Sequence, residues 1–241
     1  MAPSEEIRPD RPATIRRMFE ELAPDYDRLN TLLTFGMVRG WRRALVEDAL
    51  LRRGDRVLDV ACGTGLSLAE ARRAVEPGGL AVGIDFTEAM LRRALGTRVL
   101  GDALALPFPD AAFDAAISAF ALRDVADQGR FVAEMARVAR PGGRVALLEI
   151  GRPVRQPLRL GFDLWFRGAV PRVAAALGQG ESHRFLVRSL EYLPDPSVLA
   201  AMMERAGIRR VRWKELSLGA ARLFAGTRSE EGQGPLPAGY G

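Results

Sequence analysis

Residues 56–65, Arg-Val-Leu-Asp-Val-Ala-Cys-Gly-Thr-Gly, constrain the fold more than any other stretch: a short apolar run closes on a glycine turn and leads straight into a helical pattern. That strand–turn–helix step then recurs. Strands are expected at 80–85, 98–101, 113–120 and 144–149, with helices at 64–75, 88–95 and 127–139. Phe131, Met135 and Val138 form the apolar stripe of the last helix, and Pro141-Gly142-Gly143 stops it. Strands and helices alternating through tight turns imply parallel strands joined by crossover helices, an α/β doubly wound sheet.

The rhythm changes at both ends. Two helices are expected before the first strand, at 14–22 and 40–51. After Pro153 a long stretch intervenes before Asp195-Pro196, an N-cap followed by proline in the first turn of a helix. Val198, Leu199, Met202 and Met203 are its expected apolar face, and Gly207 ends it. Residues 208–213 and 220–226 read as two final strands, antiparallel because they are so close in sequence. Five parallel strands followed by a terminal hairpin is the Rossmann-like seven-stranded sheet of class I methyltransferases. A single domain is expected over 12–228, with helical lid segments at about 12–50 and 152–193. The polar, Pro- and Gly-rich ends, 1–11 and 229–241, are expected to be disordered.

Composition removes whole mechanisms. Cys62 is the only cysteine and His183 the only histidine among 241 residues, so neither an internal disulfide nor a Cys or His cluster for zinc is available, and no metal is expected. No G-x-S-x-G element accompanies His183, which argues against an ordinary serine hydrolase. The net charge of +5 is carried by arginine, with Lys214 the sole lysine. Basic patches interleaved with aromatics are lacking, so no nucleic-acid partner is expected. The N-terminus does not read as a signal peptide, and no stretch approaches the roughly 18 apolar residues of a spanning helix. A cytoplasmic protein is expected, touching a membrane only from the surface.

The first turn carries the cofactor chemistry. In an open α/β sheet a ligand sits off the carboxyl ends of the strands. Gly63 and Gly65 let the backbone pass close to it and leave helix N–H groups facing it. Asp85 closes the second strand about twenty residues on, where a carboxylate accepts both ribose hydroxyls. Asp102 closes the third, placed for an adenine amino group. This geometry serves a dinucleotide or S-adenosylmethionine. The dinucleotide fingerprint would need glycine where Leu68 stands. Asp59, just before the loop, suits the ammonium of a methionyl group and would repel a pyrophosphate. The electrostatics favour S-adenosylmethionine over a nicotinamide dinucleotide.

Several motifs are more specific. They are Tyr26-Asp27-Arg28-Leu29-Asn30 continuing through Phe35-Gly36 to Trp41, and Ser118-Ala-Phe-Ala-Leu-Arg123-Asp124-Val125. Gly101-Asp102-Ala103 with Leu106-Pro107-Phe108 joins them, as does the run from Arg137 through Glu149 to Pro153. On these the chain resembles the C-methyltransferases of menaquinone and ubiquinone biosynthesis, from about Arg16 to Arg228. The resemblance implies that Thr64, Asp85, Asp102, Ala103 and Ser118 contact S-adenosylmethionine. It also implies methyl transfer to a ring carbon of a prenylated quinol, with a demethylmenaquinol-like acceptor first. No Asn-Pro-Pro-Tyr element follows the fourth strand, which counts against amino-group methylation of bases or glutamine.

A ring carbon becomes nucleophilic when the neighbouring phenol loses its proton. Arg123 is expected to hold the phenolate or polarise a water, and Asp124 to help accept the proton, with a loop ion pair as the competing reading. His183 is a second candidate base. Tyr26 and Asn30 are expected on the other wall of the pocket. Against the family pattern, Asp124 stands for asparagine, Val38 for histidine, His183 for tyrosine and Arg188 for glutamate, and the helix after the second strand is short. These departures lie in the acceptor half and leave open another small aromatic or lipid acceptor, or a non-catalytic protein that binds S-adenosylmethionine. Residues 152–180 mix Arg155, Arg159, Arg167 and Arg172 with Leu158, Leu160, Phe162, Leu164, Trp165, Phe166 and Val170. That pattern suits peripheral contact with an anionic bilayer, a lid over the pocket, or a homodimer contact.

Overall fold

The computed structural model describes residues 12–153, 155–170, 172 and 189–230. Arg56–Val60 forms β1, Leu80–Asp85 β2, Thr97–Leu100 β3, Phe113–Ala119 β4 and Ala139–Ile150 β5, followed by Ile208–Leu216 as β6 and Ala221–Arg228 as β7. They make one seven-stranded sheet in the order β3-β2-β1-β4-β5-β7-β6. β1 to β5 run parallel, and β7 inserts antiparallel between β5 and β6. This is the α/β class I methyltransferase sheet with its C-terminal hairpin.

Helices cover both faces. Met37–Asp48 (α3) and Leu66–Val75 (α4) pack on one, where Trp41, Leu45, Leu68 and Val75 meet Val57, Ile117 and Leu148. Gln128–Val138 (α6) and Pro196–Arg205 (α8) cover the other, with Phe131, Met135, Leu199 and Met203 against Leu58, Val60 and Leu147. The pleat explains the division: alternate residues of a strand point to opposite faces, and in parallel strands both faces are apolar. Pro12–Leu22 (α1) and Tyr26–Leu33 (α2) lie over the carboxyl ends of the strands, and Glu88–Leu91 is α5. Leu158–Asp163 (α7) runs on into a π-helical turn at Leu164–Ala169.

Local expectations needed correction at several points. Three helices, not two, precede β1, because α2 forms a short separate helix between α1 and α3. α5 spans Glu88–Leu91 rather than 88–95: Arg93 and Ala94 tighten onto Met90 and Leu91 by three-residue hydrogen bonds before Gly96, whose φ of 104° ends the turn. β5 starts at Ala139, paired with Phe113, and bulges through Pro141-Gly-Gly before Arg144 pairs with Ala115. On α8 the buried residues are Leu199 and Met203, and Val198 is exposed. Asp195 makes no side-chain cap there. His183 and Arg188 lie outside the described residues, as do the ends 1–11 and 231–241. Ser229, first residue of the expected tail, donates its N–H to the Gly207 carbonyl at 2.8 Å.

Phe131 is fully buried where α6 meets β4 and β5. Phe131→Ala should lower the unfolding free energy by about 3–5 kcal/mol, the lost transfer energy plus the cavity left behind. Urea unfolding followed by circular dichroism checks this; an unchanged midpoint would contradict the packing.

Candidate active site

At the carboxyl ends of β1, β2 and β4 lies a cavity of about 380 Å³. Ala61 and Gly63 form its floor, Asp85 and Asp102 one side, and Phe120 and Asp124 the other. Ile15, Phe19 and Tyr26 of the N-terminal helices form the roof. Ala61 and Phe120 have φ of 55° and 64°, a left-handed backbone unusual for residues with a Cβ. Each such residue costs on the order of 1–3 kcal/mol. Both sit where a strand end turns out of the sheet against the cavity.

The carboxylates on the β1–β2 side are fixed by the glycine loop. Asp85 is buried and accepts the Gly63 N–H at 2.8 Å through one oxygen and the Thr87 N–H at 2.9 Å through the other. Each oxygen keeps a lone pair. Burial raises its pKa, against these N–H groups. Asp102 is exposed on the wall, with one oxygen holding the Leu104 N–H at 2.8 Å. Ala103 lines the wall beside it.

Asp59 stands behind the wall rather than in it, 1% exposed, and neither carboxylate oxygen has a well-formed hydrogen bond among the described residues. Burial pushes its carboxyl up to about 7; the Arg42 guanidinium opposes the shift and Asp85 adds to it. Arg42 was not foreseen. It is a buried cation in the apolar stripe of α3, donates to Ser67 Oγ at 2.6 Å and lies 5.2 Å over the Phe120 ring. Its signal was an arginine where the stripe Val38, Trp41, Leu45 calls for an apolar residue.

Three other expected cofactor residues are engaged within the protein and do not line the cavity. Thr64 Oγ1 donates to Asp27 Oδ1 at 2.6 Å, tying α2 to the glycine loop. Ser118 Oγ, 1% exposed, donates to the Val60 carbonyl at 2.7 Å and so bonds β4 to β1. Gly65 opens α4 at φ 81°, and a Cβ there would come within 2.8 Å of Ala94 Cβ. Asp27, inside the Tyr26–Asn30 motif, thus holds the loop by a contact across 37 residues that no local pattern reveals.

The opposite side gathers the expected acceptor residues. Arg123 and Asp124 form a 3₁₀ turn after β4, with Arg123 Nε 3.8 Å from Asp124 Oδ2. Burial raises Asp124 to about 6 against Arg123. Tyr26 joins them: burial raises its phenol, while Arg42, Arg123 and an Asn30 hydrogen bond oppose the shift. Glu149, next to last in β5, also reaches this group. Its carboxyl is pushed up to about 7 by burial, with Arg123 opposing. Glu149 carried no role in the sequence reading.

One side of the cavity thus carries the carboxylates of Asp85 and Asp102, backed by a desolvated Asp59 that suits a positive group. The other offers a carboxylate and a phenol, with the buried Arg123 guanidinium beside Asp124 and outside the cavity lining. The ubiE/COQ5 methyltransferase family model matches residues 6–228. The chain belongs to that family. It is 43% identical to the demethylmenaquinone methyltransferase of Roseiflexus castenholzii over 229 residues, 91% of this chain and 96% of the relative. Identity to the protein of that name in Thermus thermophilus is 42%, over 88% of this chain and 100% of the relative. Among solved structures, a SAM-dependent methyltransferase of Thermotoga maritima aligns with a TM-score of 0.64 at 19% identity, over 89% of this chain and 100% of that one, a likeness of fold.

Asp59 bears on stability as well. A native carboxyl near 7, against about 3.9 unfolded, means that the native state binds more protons between these values, so stability falls as pH rises through that window. Asp59→Asn removes this titration. The drop in unfolding free energy between pH 5 and 8 should shrink by roughly 2–4 kcal/mol. Urea midpoints at both pH values check it, and equal pH dependence in the two proteins would refute the burial argument.

Proposed function

We propose that this chain methylates a ring carbon of a prenylated quinol of the demethylmenaquinol type, with S-adenosylmethionine as donor. One observation carries the reading: a single cavity joins Asp85 and Asp102 on one side to Tyr26 and Asp124 on the other, with Arg123 beside them. The relatives' names supply the acceptor class. The donor brings a methyl group already activated on sulfonium, so no metal has to polarise it.

The residues divide the work. Asp85 accepts the ribose hydroxyls with its two remaining lone pairs while Gly63 and Thr87 hold it in place. Asp102 and Ala103 meet the adenine edge. Asp59 contributes negative potential from behind Ala61 and Gly63, worth more for being desolvated. Thr64 acts through Asp27 to hold α2 over the loop, and Gly65 and Ser118 keep the loop and β4 in register. On the acceptor side Arg123 stabilises the phenolate and Asp124 takes its proton, a task suited to a carboxyl whose pKa lies near the working pH. Tyr26 and Asn30 wall the ring. His183 is a further candidate base in the lid.

A quinol with a prenyl tail resides in a bilayer, and the face around the lid suits that source. Leu32, Phe35, Leu160 and Leu164 are exposed beside Arg155, Arg159 and Arg172, also exposed. Phe35 packs on Trp165 at 4.6 Å, and Trp165 donates to the Leu33 carbonyl at 3.0 Å, so the α2–α3 turn and the lid form one surface. Among the described residues no helix is long and apolar enough to cross a membrane. The reading is peripheral contact, apolar groups in the acyl boundary and arginines at anionic headgroups. Sedimentation should show binding to vesicles rich in phosphatidylglycerol and weaker binding to phosphatidylcholine. Joint replacement of Phe35, Leu160 and Leu164 by serine should weaken it about tenfold or more. Loss of self-association in that variant, with vesicle binding unchanged, would assign the face to a homodimer.

The activity is tested with labelled S-adenosylmethionine and a reduced demethylmenaquinone analogue, with benzoquinol acceptors alongside. Label should pass to the naphthoquinol. Asp85→Ala should weaken cofactor affinity by about a hundredfold, as expected for two lost charge-assisted hydrogen bonds. Arg123→Ala should spare that affinity and lower turnover by about 10²–10³-fold. Cofactor binding without label on any quinol would turn the reading toward another acceptor or a non-catalytic protein.

A further inference from the structure

Glu149 has one carboxylate oxygen in use and one idle. It is 3% exposed; Oε1 accepts the Leu122 N–H at 2.8 Å, while Oε2 has no hydrogen-bond partner among the described residues. Its neighbours are equally under-bonded. Arg123 Nε and Asp124 Oδ1 are buried without a partner, and Arg123 Nε stays 3.8 Å from Asp124 Oδ2. Water would satisfy such groups outside the protein, and their retention here calls for a purpose. Their placement suggests one. Asp124 lines the cavity described above, and Glu149 lines a second cavity of about 320 Å³ beneath the lid. The Leu122 N–H bond sets Glu149 against the turn that bears Arg123 and Asp124, so this row of three charges lies between the two cavities.

We propose that Glu149 is a positioning and proton-holding residue: the guanidinium of Arg123 stays protonated and couples the two carboxyls by its charge, and Glu149 takes up, by way of water at the idle Asp124 Oδ1 and Glu149 Oε2, the proton that the acceptor gives up at Asp124 and releases it to the second cavity. This rests on the quinol reading above. The acceptor hydroxyl gives H⁺ to Asp124, the ring carbon supplies the electron pair of the new C–C bond, and the pair of the broken S–C bond stays on sulfur. The methylated ring carbon then loses its hydrogen as H⁺ and the oxygen regains one. Each turnover leaves one proton for the row to discharge.

The charges suit this task. With both carboxylates ionised the row carries one net negative charge, and one proton neutralises it. Burial raises Glu149, Arg123 is the cation that opposes the shift, and Asp124 adds to it. The other charged groups around the second cavity are Arg222 of β7, Arg152, Arg159 and Asp163 of the lid, and Glu191 and Asp195 before α8. Arg152 is held by Asp163 at 2.9 and 2.5 Å, and Arg222 turns toward Glu215 at 3.7 Å and the Arg152 carbonyl.

Glu149→Gln separates the two roles of the side chain. Its amide oxygen still accepts the Leu122 N–H, but it takes no proton. The first readout is an infrared pH titration of the full chain loaded with S-adenosylhomocysteine, as a wild-type-minus-variant difference. A protonated-carboxyl band titrating near pH 7 should appear in the wild type and be absent from the variant. The second is turnover. Affinity for S-adenosylmethionine should hold, and kcat should fall by roughly 10–100-fold. The acid limb of the kcat–pH profile should move to lower pH, because the Glu149 titration near 7 drops out and leaves that of Asp124 near 6. An absent difference band, or an unmoved acid limb even with lower kcat, overturns the proposal and leaves Glu149 as a structural clamp on the turn. If wild-type protein methylates no quinol, the functional reading fails by itself, and the difference band still decides whether Glu149 holds the proton.

Discussion

The site depends first on the parallel register of β2, β1 and β4. Asp59 pairs with Gly83 on one side and Ile117 on the other, and Val60 with Ile84. The Ser118 hydroxyl on the Val60 carbonyl adds a side-chain bond at the exit of the sheet. A one-residue slip would move Asp59 to the α6 face and replace it with an apolar residue beside Arg42. It would also part the Gly63 N–H from Asp85. Continuous apolar strands specify their register weakly by pattern, since both faces are buried. The crossover helices and these few polar bonds therefore carry the specificity. Gly83 shows how close the fit is, because a Cβ there would come within 2.7 Å of Cys62 Sγ.

What the register aligns is a set of buried charges that lowers stability while it serves the site. Asp59, Asp85, Asp124 and Glu149 are all raised by desolvation, and Arg42 and Arg123 offset only part of it. The left-handed Ala61 and Phe120 add backbone strain at the same strand ends. The apolar layers on both sheet faces outweigh these costs. The result is a rigid, desolvated cavity in which a charge or a proton acts more strongly than it would in water.

The sheet was legible because it is repetitive. β1 and β2 end where the apolar runs end, and the glycine turn between β1 and α4 announced itself. The short α2 was not, since a single helical turn or two between longer helices leaves little periodic signal. The site was legible by residue type but not by partner. Asp85 and Asp102 reach the cavity wall, as strand-end carboxylates should. Thr64 and Ser118 instead bond Asp27 and Val60, contacts across long sequence separations that no local pattern reveals. Arg42 and Glu149 stayed hidden for the same reason: each is a charge embedded in an apolar run, where a sequence reading sees a helix face or a strand end.

The two halves of the cavity are held by different forces. The carboxylate half hangs on the backbone ladder of β1, β2 and β3, where a side-chain change leaves the frame in place. The acceptor half hangs on single side-chain bonds: Thr64 to Asp27 for α2, Glu149 to the Leu122 N–H for the turn bearing Arg123 and Asp124. Of the two positions expected to depart from the family pattern, Asp124 falls in this second half and Val38 does not line the cavity. Val38 is buried against Trp41 and Leu45, so an apolar side chain there costs nothing in desolvation where an imidazole would. Asp124 adds a negative charge beside Arg123, and that charge faces Glu149. A carboxylate at 124 thus changes what Glu149 can do, from balancing a lone guanidinium to sharing one proton across it.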